Sequence, residues 1–152
     1  EVLNEDPPIR GFADVEIMWN GEEVIGEVKT TRQEAFLVRQ ATMKPSPNHL
    51  FQILIYMKVR NRKLGFLLYE NKNSQEFLIL PIEMNDFNTK LINNAFDWMR
   101  TVYKSYEDGT PPNIPFRSNS KICKACPFSK WCWRGDSPAG SVDIPAMEMP
   151  KI

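Results

Sequence analysis

Residues 11–30, GFADVEIMWNGEEVIGEVKT, decide how the rest of the chain is read. Asn20-Gly21 stands between two strand-like stretches and is the strongest short hairpin signal, a type I′ turn whose two central residues both need positive φ. Strands are expected at 11–19 and 22–30. A two-residue turn sets the register, with Trp19 opposite Glu22, hence Asp14 opposite Glu27 and Phe12 opposite Lys29. Because side chains alternate across a strand, one face carries Ala13, Val15, Ile17, Trp19, Glu22, Val24, Gly26 and Val28. Nearly free of charge, that face is expected to pack on the core. The opposite face carries Phe12, Asp14, Glu16, Met18, Glu23, Ile25, Glu27 and Lys29.

Directly opposed residues have Cβ atoms roughly 4.5–5.5 Å apart, where like charges destabilise. Asp14 and Glu27 therefore read as a carboxylate pair around a cation. Oxygen-only ligation suits Mg²⁺ or Mn²⁺ better than Zn²⁺, and the backbone carbonyl of Val28 can add a ligand. Lys29 projects beside Glu27, where an ammonium can orient an attacking water and offset charge on a phosphate. The plain alternative is a solvated hairpin face with scattered acids.

Outward from the hairpin, a short helix is expected at 33–42, broken by Lys44-Pro45-Ser46-Pro47. A second helix is expected at 49–60 with Asn48 as N-cap, and a second hairpin at 64–70 and 76–82. A long amphipathic helix follows at 86–106, with Phe87, Leu91, Ala95, Trp98, Met99 and Val102 at helical spacing. Gly109 and Pro111-Pro112 stop it. The segment 110–122 reads as a Pro- and Ser-rich loop, and the tail after Gly135 as irregular. The fold class is α/β, one small mixed sheet flanked by helices with a C-terminal cysteine segment. The expected divisions are a core over 1–109, a cysteine segment over 110–135 and a tail over 136–152.

A length of 152 residues, 42% apolar and 25% charged, is ordinary for a globular chain with a core. No apolar run approaches the ~20 residues of a bilayer span, so no membrane partner is expected. No signal peptide is visible, and the expected location is cytoplasmic. The chain begins at Glu1 rather than Met, and upstream sequence is expected to be missing. Net charge is zero, but residues 1–30 hold eight acids and two bases while residues 31–63 hold seven bases and one acid. That asymmetry suits a cation site beside a phosphate-binding surface, or equally two solvated faces of opposite sign.

Three motifs in order, Gly11-Phe12-Ala13-Asp14, Glu27-Val28-Lys29 and Gln52-Ile53-Leu54-Ile55-Tyr56, resemble the G-x-x-D, E-x-K and Q-x-x-x-Y motifs of PD-(D/E)XK nucleases. The fit is to the RecB-like branch, which includes CRISPR-associated and phage exonucleases. The resemblance implies a restriction-endonuclease-like core and metal-dependent hydrolysis of DNA, at single strands or ends, in a bacterial or phage-infected cell. It implies that Asp14 and Glu27 bind the metal, that Lys29 assists hydrolysis, and that Gln52 and Tyr56 support the site and hold DNA. Gln52 and Tyr56 are i, i+4 neighbours on one helix face, and His49 shares it. Tyr56 as a core aromatic and Gln52 as a boundary residue is the structural alternative, and His49 reads as a boundary residue rather than a catalytic one. One departure is the absence of the upstream His that RecB-like members use as a further metal ligand. A non-catalytic DNA-binding or recombination module that keeps the fold is the competing function.

All three cysteines fall in Cys123-x-x-Cys126-x₅-Cys132, an odd clustered set that reads as metal or redox chemistry rather than a disulfide framework. With Pro127 after the second Cys, it resembles the C-terminal part of the iron–sulfur signature of these exonucleases. That implies a [4Fe–4S] cluster whose fourth Cys lies upstream of this chain. Zinc and unliganded thiols are the alternatives. Lys121, Lys124, Lys130 and Arg134 either touch a nucleic-acid backbone or offset thiolate charge, and Trp131 and Trp133 either stack on bases or pack locally.

Overall fold

The first hairpin forms in the expected register. In the computed structural model, which describes residues 1–111, 113, 114, 116–133, 144 and 147, β3 (Val15–Trp19) runs antiparallel to β4 (Glu22–Thr31). Trp19 lies opposite Glu22 and Val15 opposite Gly26. Asn20 and Gly21 take φ of 50° and 82°, the left-handed values that a type I′ turn requires. The expected tail after Gly135 lies outside the described residues apart from Ile144 and Met147, as do Arg134 and the Trp131 side chain.

The single strand expected over 11–19 is two. Gly11 ends β2 (Ile9–Gly11), which pairs antiparallel with β1 (Val2–Asn4) in a separate two-stranded ladder. The chain leaves that ladder, passes through Phe12, Ala13 and Asp14, and joins the main sheet only at Val15. The pairs Asp14–Glu27 and Phe12–Lys29 are therefore not ladder pairs, and Phe12 is exposed.

The main sheet has the order β3-β4-β5-β6, where β5 is Leu64–Asn71 and β6 is Phe77–Glu83. β4 and β5 are parallel, whereas β5 and β6 are antiparallel. A parallel neighbour needs a crossover, supplied by α1 (Gln33–Thr42) and α2 (Pro47–Val59). α2 starts two residues earlier than expected, with Ser46 rather than Asn48 at the N-cap. Proline lacks an N–H that the first turn would leave unbonded, so Pro47 begins this helix instead of blocking it. The small mixed sheet flanked by helices, expected of a restriction-endonuclease-like core, is what the structure shows.

The expected core face of the hairpin is corrected. α2 packs on β4 and β5 and α1 on β5, over the face that bears Ile25, Glu27, Leu67, Tyr69, Leu80 and Ile82, all buried. Across the sheet Ile17, Trp19, Val28 and Ile79 are exposed. β4 is a central strand, so its middle is buried on both faces from Val24 to Glu27. Face polarity read from one hairpin cannot show which side the crossover helices take.

The described residues fall into two units, Glu1–Asn94 and a second from Ala95 onward. The long helix α3 (Asp86–Glu107) starts in the first and continues in the second. Its buried stripe is Ile92, Ala95 and Phe96, while Phe87 is exposed. In the second unit the cysteine segment contains two short helices, α4 (Lys121–Ala125) and α5 (Ser129–Cys132). Ser120 caps α4 by accepting the Cys123 N–H at 3.1 Å. Among the described residues no helix is long and apolar enough to cross a membrane.

Candidate active site on the β4 edge

Asp14 owes its position to the gap between the two small ladders. Just before β3 begins, its Oδ2 accepts the Val28 N–H at 2.8 Å, taking the place a strand carbonyl would have held. The carbonyl of a strand residue leaves on the same side as its N–H, so the Val28 oxygen also faces this unpaired edge.

Glu27 is 2% exposed, which is rare for an acid without a partner. Its Oε1 accepts from Lys29 Nζ at 2.7 Å and from Gln52 Nε2 at 2.6 Å. Lys29 Nζ also donates to Gln52 Oε1 at 2.9 Å, and Gln52 Nε2 reaches Tyr56 Oη at 3.4 Å. The Gln52 amide thus ties Glu27, Lys29 and Tyr56 together from α2. The sequence-predicted set Asp14, Glu27, Lys29, Gln52 and Tyr56 is brought to one place.

The second oxygen of Glu27, Oε2, is buried without a hydrogen-bond partner. Burial raises the Glu27 pKa above its ordinary value; Lys29 opposes this, and the neighbouring Asp14 carboxylate adds to it. Two neighbouring carboxylates, one with a buried oxygen that accepts no hydrogen bond, are a donor set that a hard cation satisfies. Two side chains and one backbone oxygen make up this edge. Among the described residues no group of three His, Cys, Asp or Glu side chains is placed to hold a metal ion.

That finding includes the cysteines. Cys123, Cys126 and Cys132 are free thiols. Cys123 is buried within α4, Cys126 follows that helix, and Cys132 ends α5. The described residues therefore present no three-thiolate set for the expected [4Fe–4S] cluster, or for zinc.

The charge asymmetry is partly internal. Arg60 pairs with Glu16 at 3.0 Å and Arg62 pairs with Glu23. Two bases of the basic segment thereby neutralise two acids of the hairpin, while Asp14 and Glu27 are left to the edge.

The motif glycine has a steric reason. A Cβ on Gly11 would lie 2.6 Å from the Tyr56 hydroxyl, closer than any carbon–oxygen contact tolerates. Gly11→Ala should push Tyr56 aside and cost about 1–3 kcal/mol of stability. Thermal melts should show the loss partly recovered in the double variant Gly11→Ala/Tyr56→Phe, which removes the clashing oxygen. An equal loss in the double variant would refute the close approach.

Sequence reasoning missed Tyr69, which is fully buried beneath α2. Its hydroxyl accepts the Ser46 N–H at 3.1 Å and lies 3.0 Å from His49 Nδ1. The position of His49 one turn before Gln52 was a signal, but its partner depends on the β4–β5 register, which no turn fixes.

No family model matches this chain, and no curated protein matches it. Among solved structures it is similar to an alkaline exonuclease, LHK-Exo, from Laribacter hongkongensis, with 15% identity and a TM-score of 0.48 over 57% of this chain and 46% of that one. It is also similar to LHK-Exo in complex with dAMP, with 17% identity and a TM-score of 0.43 over 57% of this chain and 49% of the other. A third similar structure is that of SSO0001, with 20% identity and a TM-score of 0.43 over 80% of this chain and 50% of that one. The chain spans about half the length of the solved structures it matches.

Proposed function

We propose that the chain is the core of a metal-dependent DNA nuclease of the PD-(D/E)XK, RecB-like type, acting on single strands or ends. The observation that carries this reading is the meeting of Asp14, Glu27 and Lys29 on one strand edge, with Gln52 and Tyr56 from α2. Asp14, Glu27 and the Val28 carbonyl would hold Mg²⁺ or Mn²⁺. When bound, such an ion supplies Lewis-acid polarisation of a phosphoryl oxygen and a more acidic water.

The remaining chemistry belongs to the chain. In hydrolysis the water oxygen bonds to phosphorus as the P–O bond to the departing sugar breaks, the water losing a proton and the sugar oxygen gaining one. Two of the three Lys29 ammonium protons are committed to Glu27 Oε1 and Gln52 Oε1. The third is available to a phosphate oxygen or the attacking water, with its direction set by those two bonds. Because the positive group is positioned before substrate arrives, it does not have to reorganise as charge develops. Gln52 supports both partners and keeps Glu27 Oε1 occupied, leaving Oε2 for the cation.

Lys29→Met should reduce digestion of end-labelled single-stranded DNA in Mn²⁺ by roughly 10²–10³-fold, with circular single strands resistant if ends are required. Undiminished digestion by Lys29→Met would overturn the assignment. A non-catalytic DNA-binding module is the second reading, favoured by the presence, among the described residues, of two acidic side chains at the edge and no third. It expects binding without turnover by the parent protein under the same conditions.

A further inference from the structure

A second polar cluster lies beside this edge, on the same helix-covered face. Lys29 is the register neighbour of Tyr69. On the Tyr69 ring sit two basic side chains from different helices. The His49 ring centroid is 5.6 Å from that of Tyr69, and the Arg39 guanidinium carbon is 6.0 Å from it. Arg39 shares the inner side of α1 with the fully buried Phe36, three residues earlier. Its Nε is buried and has no hydrogen-bond partner.

A buried donor without an acceptor costs on the order of 1–3 kcal/mol, and guanidinium forks match the oxygens of phosphate. Tyr69 Oη accepts from Ser46 N and shares a hydrogen bond with His49 Nδ1 at 3.0 Å, which holds the His49 ring against Tyr69. The charges of Lys29 and Arg39 both act on His49; with burial as the largest cause, they lower its pKa. Lys29, Arg39 and His49 thus lie within electrostatic reach of one another, and Arg39 carries a donor that no neighbouring group accepts.

The geometry points to an anion subsite formed by Arg39 and His49 next to Lys29, which holds a phosphate of the substrate strand adjacent to the one being cut. That the anion belongs to a nucleic acid rests on the nuclease reading, whereas the anion site itself does not. Arg39 and His49 bind and position the strand; neither touches the reacting atoms. The Tyr69 hydroxyl orients His49, and the Tyr69 ring supports Arg39.

The test measures binding in EDTA, where no turnover occurs, with two probes: inorganic pyrophosphate by calorimetry and a labelled single-stranded oligonucleotide by anisotropy. Arg39→Met should weaken both by about tenfold and lower the salt dependence of oligonucleotide binding by about one charge. Arg39→Lys keeps the charge and the stem over Tyr69, and should retain the parent salt dependence. Loss of that dependence in Arg39→Lys as well would overturn the subsite. So would unchanged binding of both probes by Arg39→Met, or a parent protein that binds neither. Arg39-dependent pyrophosphate binding without DNA hydrolysis in Mn²⁺ would keep the subsite and remove the nuclease reading. Hydrolysis with binding indifferent to Arg39→Met would do the reverse.

Discussion

Glu27→Gln should abolish hydrolysis while making the metal-free protein more stable. Loss of activity of roughly 10³-fold is expected for a variant that removes a charge-bearing group of the site. The gain in stability follows from the environment of the carboxylate. Glu27 is buried and faces Asp14, and these causes outweigh the favourable Lys29 neighbour, so its folded-state pKa is raised. A group whose folded pKa is raised contributes its stability below the unfolded value and loses it as pH rises through the folded one. At neutral pH the Glu27 carboxyl therefore works against the fold. A neutral amide avoids that cost, and its NH₂ can donate to Asp14 from the place where Oε2 is now orphaned. A rise in Tm of roughly 2–4 °C in EDTA at neutral pH corresponds to about 1 kcal/mol in a domain of this size. The difference should vanish toward pH 4.5 and below, where the parent side chain is also neutral. A variant no more stable than the parent at neutral pH would contradict the account of the pair.

Leu67→Ala should cost a large part of the stability of the fold. Leu67 is fully buried on β5, directly between Glu27 on β4 and Leu80 on β6. Truncation of a leucine in such a position costs about 2–5 kcal/mol through lost burial and the remaining cavity. Denaturant unfolding should show that loss, and catalysis should weaken too, because the floor beneath Glu27 is loosened. Ile79→Ala is the control. It sits on the same sheet but on the opposite face, 56% exposed, and should cost well under 1 kcal/mol. Equal costs for the two would mean that the buried face has been misassigned.

The parts legible in the sequence were those governed by local rules. Asn20-Gly21 alone set the register of five ladder pairs, because both residues accept positive φ. The bounds of α1, Gln33–Thr42, are those expected ahead of the Lys44-Pro45-Ser46-Pro47 break. Gln52 and Tyr56, four apart on one helix, point to the same place because of helix geometry alone.

Features that depend on distant parts of the chain were not legible. The break at Asp14 comes from the pairing of Gly11 with Val2, so the carboxylate approaches Val28 from a loop instead of lying in the ladder. Which face of β4 is covered depends on the crossover of α1 and α2, and that choice put Glu27 under a helix and Val28 outside. The Lys29–Tyr69 neighbourhood, and with it the setting of Arg39 and His49, follows from a parallel register that has no turn to announce it. The cysteine spacing suggested a cluster, yet the three thiols lie on two short helices and their flank without forming a common set.

The claim on which the rest depends is that the Asp14–Glu27 edge is a divalent-cation site. Calorimetric titration of the metal-free protein with Mn²⁺ tests it most directly, with the parent and Glu27→Gln measured side by side. Saturable binding by the parent that is lost in Glu27→Gln is the predicted result. Equal binding by the two, or no binding by a folded parent, would contradict it.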